Sequence, residues 1–159
     1  MWGDRKACIP KMLQTVKLFA GSGAAIAFED VPLNGEEAAW FSDFPAGGDY
    51  GLLADLGHMN LRLSKAGDNS PEAFAQAYAA LPLHVYELHL HNNDGVKDMH
   101  DMMWNGTMDY AAVAAQLHRA HFDGVFTIES VPGWHGMTGN DADAAIFRCR
   151  DYWQELWTR

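Results

Sequence analysis

The chain of 159 residues reads as an α/β protein, a parallel sheet covered by helices. Three observations predict this. Short runs suited to strands alternate with segments of helical periodicity. The runs are largely apolar, as strands covered by helices are. Four successive runs end in a residue that can ligate a metal: Glu29, Asp55, His89 and Glu129. Parallel α/β folds gather their chemistry at the carboxyl ends of the strands.

The elements follow in order. Residues 5–20 are expected to be helical, with Met12, Leu13, Val16 and Phe19 near one face and a late start or kink at Pro10. Gly21-Ser22-Gly23 ends that helix. Residues 24–29, AAIAFE, read as the first strand. Residues 34–48 mix glycine, acids and aromatics, which suits a short helix and loops. Residues 50–55, YGLLAD, read as the second strand. Residues 71–81 are Ala-rich and helical, with Ser70 as N-cap. Residues 84–91, HVYELHLH, read as the third strand. Its period of two places Glu87, His89 and His91 on one face and Tyr86, Leu88 and Leu90 on the other. Residues 108–121 read as a helix with Ala112, Ala115 and Leu117 facing inward. Residues 124–129, GVFTIE, form the fourth strand, and residues 141–157 a closing helix. There is no internal repeat, linker or low-complexity segment, so a single domain over 1–159 is expected.

Composition narrows the function. Hydrophobic residues make up 48% of the chain and aromatics 12%, enough for a real core. No apolar run approaches the ~20 residues that cross a bilayer. The start, MWGDRKACIPKM, lacks the apolar stretch of a secretory signal. Cys8 and Cys149 lie far apart without a CxxC partner. They point to reduced thiols and a cytoplasmic location, with one disulfide as the alternative. The net charge is −10 with only 11 Lys and Arg, which argues against gripping a nucleic-acid backbone. Bound divalent cations would offset part of that excess.

Residues 89–100, HLHNNDGVKDMH, pack His89, His91, Asp94, Asp98 and His100 into one short stretch. Imidazole nitrogen and carboxylate oxygen are the donors that Zn²⁺, Mn²⁺ and similar ions accept. A polar surface loop is the plainer reading of the stretch alone. Its position after a strand, beside three other strand-end acids, favours a shared site. Three carboxylates brought together repel one another and call for a cation or protons between them. In Asp55-Leu56-Gly57-His58 the acid and the histidine can face one cavity. Glu87 would either orient His89 from beneath or be a solvated edge-strand acid.

In sequence order, AFED, ADLGH, HLHNNDGVKDMH, NGTMDY and TIES resemble the xylose isomerase-like TIM barrels. That superfamily includes sugar isomerases, sugar epimerases and AP endonucleases of the endonuclease IV type. The resemblance runs over about residues 5–157. It implies that Glu29, Asp55, His89 and Glu129 hold a divalent metal ion (Mn²⁺, Co²⁺, Mg²⁺ or Zn²⁺). It implies that Glu29 and Glu129 form an acid–base pair and that His58 contacts substrate. In the endonucleases His58, Asp98 and His100 would form a second metal cluster. Asn92 stands where the family usually has Asp, and Asp94 either substitutes for it or shapes the turn.

A complete barrel takes ~250 residues. Four strands therefore suggest TIM-barrel-like βα units in a partial barrel, its C-terminal portion, lacking the first strands. Open sheet edges would favour a homo-oligomer that covers them; a truncated product or a smaller rearranged fold are the alternatives. The expected function is a metal-dependent sugar isomerase or epimerase, moving a proton at the carbon beside a carbonyl. The alternatives are an AP-endonuclease-like phosphodiesterase and a non-catalytic metal- or sugar-binding remnant. The expected partner is a small sugar, with neither nucleic acid nor membrane. No Gly-rich phosphate loop supports a phosphosugar. Trp104 and Trp134 would either wall a sugar or simply pack, packing being the stronger expectation. His135 would reach the rim or stay in solvent, solvent being the stronger.

Overall fold

A computed structural model describes residues 5–29, Ala39, Phe44 and 48–159. Apart from Ala39, Phe44 and Gly48, the helix and loops expected over 34–48 lie outside the described residues. A 3₁₀ turn, Arg5–Cys8, leads into helix α1 (Ile9–Phe19). Pro10 occupies the first turn of α1, where its missing N–H costs no intrahelical bond. It sets the late start and does not kink the helix. Strand β1 spans Ile26–Phe28 and β2 spans Tyr50–Asp55. Helices α2 (Leu56–Lys65) and α3 (Pro71–Ala79) follow, then β3 (Val85–Leu90). Helix α4 (Tyr110–Arg119), β4 (Val125–Ile128) and α5 (Asn140–Trp157) complete the chain.

The four strands form one parallel sheet in the order β1-β2-β3-β4. Each strand adds beside its predecessor on the same side. Right-handed crossovers from β2 to β3 and from β3 to β4 then lay the described connecting helices on one face, as in a barrel and not as in a doubly wound sheet. On that face Leu52, Ala54, Leu88 and Leu90 are buried under Leu56, Met59, Val113, Leu117 and Trp153. The other face carries Leu53, Asp55, Glu87, His89, Val125 and Thr127 by the period of two. No described helix is long and apolar enough to cross a membrane.

Two expected faces need correction. Val16 is buried and Met12 and Leu13 are partly buried, but Phe19 is exposed in the last turn of α1. On α4 the buried stripe is Tyr110, Val113, Ala114 and Leu117, and Ala115 is exposed. At 100° per residue that i, i+3, i+4, i+7 set leaves Ala115 on the solvent side. Ser70 caps α3 as expected, accepting from the Ala73 N–H at 3.2 Å. Asp109 caps α4, accepting from the N–H groups of Ala111 and Ala112 at 3.0 and 3.1 Å.

Candidate functional site

Register brings the strand ends together. Asp55 lies beside His89 across β2 and β3, and His89 beside Thr127 across β3 and β4. One residue beyond β4, the Glu129 N–H donates to the Leu90 carbonyl at 3.0 Å, carrying the ladder to the acid. Ligand atoms of Asp55, His89 and Glu129 lie within 4.8 Å of one another. His89 Nδ1 is 2.9 Å from Glu129 Oε2. Glu29, exposed just beyond β1, forms a similar group with Asp55 and His58. Asp55 thus belongs to both groups, and the four expected strand-end residues meet around it.

Asp55 is buried and also caps α2, its Oδ1 accepting from the His58 N–H at 2.8 Å. The same carboxylate accepts from His91 Nε2 at 3.0 and 3.2 Å. Burial pushes the Asp55 carboxyl up. The bond and charge of His91, then the His58 N–H and ring, outweigh that and hold it well below the ordinary carboxylate range. Glu129 goes the other way. Burial, with the neighbouring Asp55, raises its carboxyl above the ordinary range against the pull of His89 and His100. Two like charges at about 5 Å repel by about 3 kcal/mol at an effective dielectric of ~20. A divalent cation between them reverses that sign, and the oxygen and imidazole donors suit Mn²⁺, Co²⁺, Mg²⁺ or Zn²⁺.

A second group gathers His58, His91, Asp98 and His100. Asp98 Oδ2 is 3.1 Å from His58 Nε2 and 3.4 Å from His100 Nε2. The His91 and His100 rings stack at 3.9 Å and 6°. His100 takes the left-handed region at φ 44, a strained choice for a residue with a Cβ. That conformation turns its imidazole to the cluster while Nδ1–H donates to the Glu129 carbonyl at 3.0 Å. His58, Asp98 and His100 therefore lie together, with His91 beside them. His91 is fully buried and its Nδ1 has no hydrogen-bond partner among the described residues. A carboxylate only accepts, so Nε2–H is the donor to Asp55.

The loop after β3 is a surface loop only in its second part: Asp94, Val96, Lys97 and Asp98 are exposed, but its start is not. Asn92 and Asn93 are buried. Asn92 bonds the Met103 carbonyl at 2.8 Å and the Met108 N–H at 3.1 Å, stapling the loop. Asn93 donates to the Gly57 carbonyl at 2.8 Å and accepts from Asn60 at 2.8 Å. Sequence reading missed Asn60, Asn93 and Gly57. Only the buried turn, unseen from composition, marks them. Asp94 shapes the turn, accepting from the Val96 and Lys97 N–H groups. Trp104 packs on Tyr152 and under Arg148, as expected of a core residue. Trp134 is 65% exposed and meets the His100 ring edge-on at 5.1 Å, on the rim of the site. His135 leaves solvent to reach the Met99 carbonyl at 3.0 Å.

A crystal structure of a D-tagatose 3-epimerase-like protein superposes at a TM-score of 0.66, with 18% identity. It covers 93% of this chain and 54% of that one. A D-psicose 3-epimerase with D-tagatose, from Clostridium cellulolyticum H10, superposes at 0.65 with 11% identity, over 94% and 55%. The fold is that of part of a TIM-type barrel. The chain spans about half the length of these solved structures. It is 29% identical over 80 residues to the uncharacterized protein MJ1311 of Methanocaldococcus jannaschii, covering 50% of this chain and 25% of that protein. No protein-family model matches the chain.

Proposed function

We propose that this chain carries the metal-binding, acid–base part of a divalent-metal-dependent sugar epimerase or isomerase. The observation that carries the reading is the convergence of Asp55, His89 and Glu129, with Glu29 joined through Asp55, at the ends of four parallel strands. The likeness of fold to the two epimerase structures supports a small sugar as substrate. Glu29, Asp55, His89 and Glu129 would hold the ion, which when bound acidifies the C–H beside a sugar carbonyl. Glu129, its carboxyl raised by burial, would take up that proton, and Glu29 would return it at the other face or position. His58, half-buried beside Asp55, would donate to a substrate oxygen. Trp134 on the rim offers an aromatic face to the ring.

The test is solvent-deuterium exchange into D-tagatose, D-psicose and D-fructose with added Mn²⁺ or Co²⁺. Exchange is expected, and Glu129→Gln should lower its rate by about 10²–10⁴-fold. Full exchange in Glu129→Gln would remove the role given to that residue. A second reading, a phosphodiesterase acting at abasic DNA, is favoured by the His58, His91, Asp98 and His100 group. The charge of −10 weighs against it. Chelator-sensitive cleavage at an abasic site would establish it, and metal binding with neither activity would mark a binding remnant. A homo-oligomer that covers the open sheet edges belongs to the same proposal.

A further inference from the structure

We propose that Glu87, held by Thr127, is a positioning residue that orients His89 as a metal ligand. This rests on the metal site proposed above. Glu87 lies two residues before His89, so both point to the face of β3 opposite the helices. β3 is central, with β2 on one side and β4 on the other, so Glu87 is no edge-strand acid. Thr127 sits beside His89 in register and donates its hydroxyl to Glu87 Oε1. That same oxygen is 3.6 Å from His89 Nε2, just beyond hydrogen-bond range. The other ring nitrogen, Nδ1, faces Glu129 at 2.9 Å.

The two ring nitrogens therefore have separate partners. Nδ1 points into the carboxylate group that would share an ion, and Nε2 points at Glu87. An imidazole can ligate only through a nitrogen that has given up its proton. The proton that leaves Nδ1 must then be matched by one on Nε2, and Glu87 is the acceptor that a small closing of the 3.6 Å gap would bring to that N–H. The carboxylate fixes both the tautomer and the ring angle, and raises the donor strength of Nδ1. Thr127 holds the carboxylate by its short bond, so Glu87 does not swing away. A solvated acid would have needed no such anchor.

The experiment is titration of the metal-free protein with Co²⁺ alone, reading affinity and the visible spectrum. Glu87→Gln should weaken Co²⁺ binding by about 10–100-fold and alter the spectrum. Thr127→Val should give a smaller loss, which Thr127→Ser restores. In a His89→Ala background, Glu87→Gln should have no further effect, because its action runs through the ring. Parental affinity and spectrum in Glu87→Gln would overturn the proposal, as would an undiminished effect without His89. A parent protein that binds no Co²⁺ removes the underlying metal reading as well. Thermal unfolding of the metal-free variants separates these outcomes from simple loss of fold.

Discussion

A side chain at Gly57 would enter the space of the His91 ring. An added Cβ would stand 2.0 Å from His91 Cε1 and 2.4 Å from Nε2. The imidazole could yield only by breaking its 3.0 Å contact with Asp55 and its 3.9 Å stack on His100. Gly57→Ala should therefore cost about 1–3 kcal/mol in denaturant unfolding. It should also weaken binding of added Co²⁺. An alanine variant with parental stability and affinity would show that His91 has no fixed place. The strand-end residues Glu29, Asp55, His89 and Glu129 were legible because position at a strand's end is visible in one dimension. His91 was legible as a neighbour of His89 lining the same cavity, but its full burial and its bond to Asp55 were not, because they come from Gly57, Asp55 and His100, brought together only by folding. The period of two also stops applying where β3 ends at Leu90.

At the scale of elements, all four strands and four of the five described helices were legible from apolar runs, turn glycines and caps. Helix α2, LGHMNLRLSK, was missed. Its buried face, Leu56, Gly57, Met59 and Asn60, mixes apolar and polar positions, and its N-cap is the site residue Asp55 itself. A residue serving both roles hides the helix start inside the motif. Helix α3 gives a pH prediction. Burial, and then the charge of Asp123, pushes the Tyr78 phenol up to about 12 from an ordinary value of 10.0. A folded value above the unfolded one means stability is intact below pH 10. It is lost as pH rises from 10 towards 12, where only the unfolded chain ionises readily. Because Tyr78 is only half buried, the loss attributable to it should be about 1 kcal/mol. Tyr78→Phe should flatten the decline by that amount in urea unfolding followed across this range. An identical decline in the variant would place the cause elsewhere.

At the scale of the whole molecule, the sheet has two open sides. β1 and β4 each pair with one strand among the described residues. Val125 on β4 is 60% exposed, and Leu18 and Phe19 are exposed in the last turn of α1. An open parallel edge beside apolar side chains is a template for pairing. Two copies placed with β4 of each beside β1 of the other would supply eight strands, the number that closes a TIM-type barrel. The opposing force is charge, since each copy carries −10. Screening shortens that repulsion to about 10 Å at 0.1 M salt and about 3 Å at 1 M. Association should therefore tighten as salt rises, opposite to the behaviour of a charge-paired interface. Sedimentation velocity on this chain from 0.05 to 1 M NaCl is expected to show a dimer fraction that grows with salt. Val125→Lys should return it to monomer, because closure would bury the new ammonium without a partner. A species that stays monomeric across the salt range would leave both edges open in solution. The head-to-tail arrangement would then be wrong, while the proposed metal site, whose residues all lie within one copy, would be untouched.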